Sequence, residues 1–232
     1  MNQSISNVTL IYCGVGNIPL DIIAINNGFK YGLRLPIKKR LDVDLYFADQ
    51  DWKNPNKEKY IEYINLYKPK LATVIDIEQV EQLDEAIEWA MSISNVVDQV
   101  ILIPKCLGII ENIPYKINKK EVILGFSVPT KYGATTLSPK LFEKRKVHLL
   151  GGSPHKQLSY LDKFDIVSVD CNYHSMLANK FGIYWTGKIN GETKMSMHYD
   201  DNFISPTERS LKAFEISCKN IMYAWKNKLK YD

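Results

Sequence analysis

Apolar residues along this chain fall in short runs: Thr9 to Cys13, Asp44 to Ala48, Leu71 to Ile75, Gln99 to Ile103, Glu121 to Phe126, Val147 to Leu150, Ile166 to Val169 and Gly182 to Trp185. Several are apolar throughout instead of alternating, as are strands of a parallel sheet buried on both faces. Between them lie stretches of helical spacing. These are Lys57 to Tyr67, Ile77 to Ser94 (Val80, Leu83, Ala86, Ile87, Ala90 and Met91 along one face), Lys140 to Lys144 and His155 to Asp162. A last stretch, Ser205 to Lys228, opens with a Ser-Pro-Thr-Glu start signal and carries Leu211, Phe214, Ile216, Ile221 and Trp225. Eight strands alternating with helices predict an α/β fold, a single compact (β/α)8 barrel over residues 1–232, with the C-terminal helix buried against its outside. A chain of 232 residues requires some crossover helices to be cut to a turn or two.

Composition fits one globular domain, with 45% hydrophobic and 24% charged residues. No apolar run has the length of a membrane span, and Met1 to Asn7 lacks the segments of a signal peptide, so a cytoplasmic protein without a membrane partner is expected. Cys13, Cys106, Cys171 and Cys218 are scattered, with no Cys-x-x-Cys. His148, His155, His174 and His198 offer no i, i+4 pair. Neither set points to a metal or a cofactor. The net charge of +4 suits an anionic partner without requiring one. The clusters Lys38-Lys39-Arg40, Lys116 to Lys120, Lys140 to Lys146 and Lys226 to Lys230 read as solvated surface.

The chemistry concentrates where strands end. In parallel α/β folds ligands bind outside the carboxyl ends of the strands. Asp49 closes Leu45-Tyr46-Phe47-Ala48, Asp76 closes Leu71-Ala72-Thr73-Val74-Ile75, and Asp170 closes the seventh run. Three carboxylates on one rim carry a desolvation cost that surface positions avoid, which points to function; for Asp76 the competing role is to cap a helix beginning at Ile77 or Glu78. Lys105 and Lys131 follow strand ends on the same face, where a cation can hold a phosphate. Asp165, at the start of its strand, lies on the opposite face and reads as structural.

The stretch Val147 to Asp170 is the most distinctive. One strand ends in Gly151-Gly152-Ser153-Pro154, a short helix follows, and a second strand ends in Asp170-Cys171. This resembles the tRNA-guanine transglycosylases and, more closely, their phage and bacterial DNA-modifying relatives, which place 7-deazaguanines in DNA. In that family a Gly-x-Gly-x-Pro turn binds the base and a later strand carries the nucleophilic Asp followed by Cys. The resemblance implies that Asp170 is the nucleophile and that Asp76 recognises the base. It also implies that Gly151, Gly152 and Ser153 form the base-binding turn, with Gly125 and Ser127 on a further recognition strand, although the letters of Leu124 to Pro129 match less well. Departures matter as well. The tRNA enzymes carry a Cys-x-Cys-x-x-Cys and His zinc site after the nucleophile, whereas only Cys171 and Cys218 remain here; their Arg-rich loop is replaced by Asn172-Tyr173-His174, and their Ser-Gly-Gly-Phe-Gln loop by Ala48 to Trp52.

These losses favour DNA over tRNA as the partner. The resemblance thus implies exchange of guanine for a 7-deazaguanine base through a covalent Asp170–sugar intermediate, with no cofactor and no metal. The nucleotide would be flipped out and stacked on Tyr132, Trp52 or Tyr173. Two other readings stay open: a barrel enzyme acting on a phosphosugar or nucleotide through a Schiff base on Lys105, and a catalytically silent barrel that binds a nucleotide or nucleic acid.

Overall fold

The computed structural model describes residues 8–14, 16–37, 39–130, 135–187, 194–196 and 205–228. Eight parallel strands close on themselves: β1 (Thr9–Gly14), β2 (Lys30–Leu35), β3 (Phe47–Gln50), β4 (Leu71–Ile77), β5 (Gln99–Pro104), β6 (Lys120–Ser127), β7 (Lys146–Leu150) and β8 (Asp165–Asp170). Each pairs with the next, and β8 pairs with β1, so the sheet has no free edge and the chain is a (β/α)8 barrel.

The expected strand Gly182 to Trp185 is a correction. Ile183–Trp185 forms a small antiparallel pair with Lys194–Ser196 outside the barrel, and β2 supplies the missing strand. Lys30-Tyr31-Gly32-Leu33-Arg34-Leu35 hides its strand character because its inward positions are Gly32 and Arg34. Gly32 has to be small: a Cβ there would lie 2.8 Å from Ile11 and 2.9 Å from Phe47. Asp170 therefore ends the eighth barrel strand, not the seventh.

The helices are α1 (Ile18–Asn26), α2 (Lys57–Tyr67), α3 (Leu83–Ile93), α4 (Pro154–Leu158), α5 (Tyr173–Phe181) and α6 (Pro206–Lys226). The long helix expected from Ile77 begins later. β4 runs through Ile77, a 3-10 turn covers Val80–Gln82, and α3 follows, so Val80 and Met91 are exposed where the periodicity had placed them inward. The stretch from Lys140 reduces to a 3-10 turn, Pro139–Phe142, and the one from His155 to the short α4. α6 opens on a capping box in which Ser205 and Glu208 bond each other's backbone amides. Its inner face buries Phe214, Ile221 and Trp225, with Leu211 partly buried, against α1, α5 and the Ile183–Trp185 strand. Among the described residues no helix is long and apolar enough to cross a membrane.

Two cores result. The larger lies between strands and helices; the smaller fills the barrel with Ile11, Cys13, Phe47, Leu71, Ile101, Ile103 and Ile123. Strand alternation assigns each residue to one or the other, and two bulges interrupt it. Thr73 faces Ile101 while Asp76 faces Ile103, so β4 uses three residues where β5 uses two. Likewise Ile166 faces Val147 while Ser168 faces His148, an extra residue in β8. Without these insertions, alternation would aim Asp76 and Asp170 at the helices. With them, both acids turn into the barrel mouth.

Candidate active site

At the mouth, Arg34 ends the inner face of β2, Asp49 that of β3, Asp76 that of β4 and Asp170 that of β8. Arg34 and Asp49 are cross-strand neighbours, with Nε 3.6 Å from Oδ2. The other Asp49 oxygen accepts from the Thr73 hydroxyl at 3.0 Å, and Thr73 in turn accepts the Gln50 amide at 2.9 Å. Burial, reinforced by the negative charge of Asp170, pushes the Asp49 carboxyl up to about 7, against the opposing pull of Arg34. Near neutral pH Asp49 is thus divided between its protonated and ionised forms and can give up or take back a proton.

Folding bears on this proton with a definite sign. Unfolded, Asp49 titrates near its ordinary value of about 4. Between about pH 4 and 7 only the folded chain keeps the proton, so stability falls as pH rises through that window, by on the order of 4 kcal/mol at most. We expect Asp49→Asn to flatten the decline in thermal midpoint between pH 5 and 8. Asp21, buried and pushed up to about 6, should retain part of it. An Asp49→Asn protein with the wild-type slope would contradict this.

Asp170 is held from two sides. Its Oδ1 accepts the Gly151 amide at 3.2 Å and lies 3.3 Å from Nε2 of His148, whose Nδ1 is 2.7 Å from the Ser168 hydroxyl. His148 is fully buried and its ring leans on Phe47 at 5.1 Å. The tautomer with its proton on Nε2 satisfies both contacts: it donates to Asp170 and accepts from Ser168. Oδ2 of Asp170 has no hydrogen-bond partner among the described residues. Gln157 braces the strand end, donating to the carbonyls of Gly151 at 2.7 Å and Asp170 at 2.8 Å.

The glycine turn therefore serves the acid. Gly151, expected to bind a base, gives its amide to Asp170. Gly152 has φ +80°, and a Cβ on it would stand 2.5 Å from Val128; Gly152→Ala should cost about 2 kcal/mol or more in a denaturation measurement. Its carbonyl accepts the Cys171 thiol at 3.2 Å, and burial pushes that thiol up to about 12, so Cys171 is inert at neutral pH. Ser153 precedes α4, its hydroxyl 3.2 Å from Nε2 of His155.

Asp76 does not cap a helix. Its carboxylate pairs with the Lys105 ammonium, which also lies 3.6 Å from Glu78, while the following turn is capped by Gln79 and Gln82. Burial raises the Asp76 carboxyl and Lys105 pulls it back. Lys105 stands on the expected face but is engaged by acids, not left free for a phosphate. Gly125 is buried within the barrel, where a Cβ would lie 2.8 Å from Ile103 and from Leu150; its lack of a side chain makes room for packing. Ser127 ends β6 half-buried, and Asn172 precedes α5 beside a cleft of about 200 Å³ that Arg34 also lines. Lys131, Tyr132 and His198 lie outside the described residues. Among those described, no group of three metal-ligating side chains comes together.

Arg34 and His148 are the residues that the sequence did not single out. A signal existed for His148: a lone imidazole within the doubly buried run Val147-His148-Leu149-Leu150 must find polar partners inside the fold.

A barrel with an acidic mouth, its acids turned inward by bulges, is the class these observations define. The chain belongs to the Family of unknown function (DUF6610), whose model matches residues 24–226, from within α1 to the last residue of α6. No curated protein matches it.

Proposed function

We propose that the protein is a DNA-guanine transglycosylase, exchanging guanine for a 7-deazaguanine through a covalent bond between Asp170 and the deoxyribose. The observation that carries this reading is the Asp170 carboxylate, with Oδ1 fixed by Gly151 and His148 and Oδ2 without a hydrogen-bond partner among the described residues. Attack by Oδ2 on C1′ forms the sugar ester as the C1′–N9 bond breaks, and its negative charge stabilises the oxocarbenium-like transition state. The departing guanine takes the bonding electrons and needs a proton, which the raised Asp49 carboxyl can give up near neutral pH. The incoming 7-deazaguanine gives up its N9 proton to the Asp49 carboxylate left by the first step, bonds to C1′ and releases Asp170, so both acids return to their starting states. Its carbon at position 7 makes it a poor leaving group, which favours the forward direction.

A base stacked in a duplex does not reach this mouth, so the nucleotide is flipped. Trp52, 50% exposed, is one aromatic side chain available to stack with it. The experiment is nucleoside mass spectrometry on DNA and tRNA from cells that express the chain and are supplied with a 7-deazaguanine. Modified nucleoside is expected in DNA; its appearance in tRNA alone would replace the substrate, and its absence from both would end the proposal.

A further inference from the structure

A second cleft, of about 260 Å³, opens between the ends of β3 and β4 and the start of α3. Its walls include Gln50, Trp52, Asp76, Glu78, Glu85 and Trp89. Two of these are stranded: Gln50 and Trp89 are 3% and 4% exposed, and among the described residues neither the Gln50 Oε1 nor the Trp89 Nε1 has a hydrogen-bond partner. A buried acceptor and a buried donor without partners carry a cost that a ligand can relieve. Turning about its last side-chain bond, a soft torsion, would bring the Gln50 oxygen to the cleft in exchange for the NH2 of the same amide.

The complement of this wall is specific. The stranded acceptor calls for an N–H and the stranded donor for a C=O. Asp76 and Glu78 pair with one ammonium, that of Lys105, and Glu85 is a third acid in the wall. That balance excludes a phosphate and accepts further N–H groups. Trp52 offers a flat apolar face, with Lys105 at 6.0 Å from its ring. A planar ring with adjacent lactam N–H and C=O plus an exocyclic amine meets these demands; adenine, lacking both lactam groups, does not.

Position agrees with chemistry. β4 is the fourth strand from β8 in either direction, hence opposite it, and Asp76 belongs to both the cleft and the mouth. Asp76 thus links the two, ending the inner face of β4 across from Asp170 and lining the cleft as well. Because the Gly151 amide is held by Asp170, the donor to the base carbonyl has to come from elsewhere. We infer that the Gln50–Trp89 cleft is the base-recognition pocket, selecting a guanine-type lactam edge. The choice of nucleobase rests on the function proposed above.

Calorimetric titration with 7-deazaguanine and 7-deazaadenine tests it. The wild-type protein should bind the first in clear preference. Gln50→Met and Trp89→Phe, which keep the bulk and remove the polar atom, should each weaken 7-deazaguanine binding about tenfold or more and erode the preference. Neither should lower the thermal midpoint of the unliganded protein by much, since each removes a group without a partner. Equal binding of the two bases, or unchanged affinity in both variants, would overturn the inference. The two proposals separate cleanly. Gln50-dependent binding in a protein that never forms an Asp170 adduct keeps the pocket and removes the chemistry. An adduct formed alongside unaltered base affinity in both variants does the reverse.

Discussion

Asp170→Asn is expected to abolish base exchange, by on the order of 10³-fold or more, together with any covalent adduct. An amide oxygen is a far poorer nucleophile than a carboxylate and carries no charge to set against the oxocarbenium-like centre. Reaction of the wild-type protein with DNA in the absence of incoming base should leave an ester that peptide mass spectrometry maps to Asp170. Asp165→Asn should retain the chemistry, because Asp165 is the exposed first residue of β8, at the far end of the barrel. His148→Phe offers an intermediate test. It removes the contact to Oδ1 while keeping a ring beside Phe47, and a charge-assisted hydrogen bond of this kind is worth roughly 10- to 100-fold in kcat with little change in KM. An adduct mapped to Asp165, or full activity in Asp170→Asn, would mean that the nucleophile was assigned to the wrong acid.

The second large effect concerns α6. A chain ending before Ser205 should lose cooperative folding. Phe214 stacks on His174 with ring centroids 4.8 Å apart and an interplanar angle of 3°, and it meets Tyr12 edge-on at 5.2 Å. His174 is itself wholly buried, and desolvation lowers its pKa to about 3, so it is a neutral aromatic wall that must not be wetted. Ser217 accepts the Trp185 amide at 2.9 Å, and Asn220 donates to the Trp185 carbonyl at 2.8 Å. Burial of Phe214, Ile221 and Trp225 contributes roughly 5–9 kcal/mol at about 1.5–3 kcal/mol each, comparable with the whole stability of a domain, about 5–15 kcal/mol. A soluble truncated protein with a single sharp denaturant transition would show that α6 is dispensable.

Much of the barrel was legible because doubly buried strands write themselves as apolar runs: Leu71 to Ile75 and Gln99 to Ile103 need no partner to be recognised. β2 was not, because its inward face holds Gly32, required by the bulk of Ile11 and Phe47, and Arg34, required by Asp49. Gly182 to Trp185 imitated a barrel strand because Trp185 is fully buried, but what buries it is α6, a contact distant in sequence. The three acids could be placed on one rim from strand order alone. Their partners could not, since Arg34, Thr73, His148 and Lys105 meet them only across the closed sheet.

The two bulges bear on how members of this family can differ. The acids depend on a count of residues as well as on their identity. Loss of a single residue between Thr73 and Asp76, or between Ile166 and Ser168, would leave β4 or β8 paired and its aspartate in the sequence, yet turned toward the helices. An alignment that scores such a relative as retaining the aspartate would misjudge it. Strand length between fixed neighbours, and not the letter D alone, separates members with an acidic mouth from those that keep only the barrel.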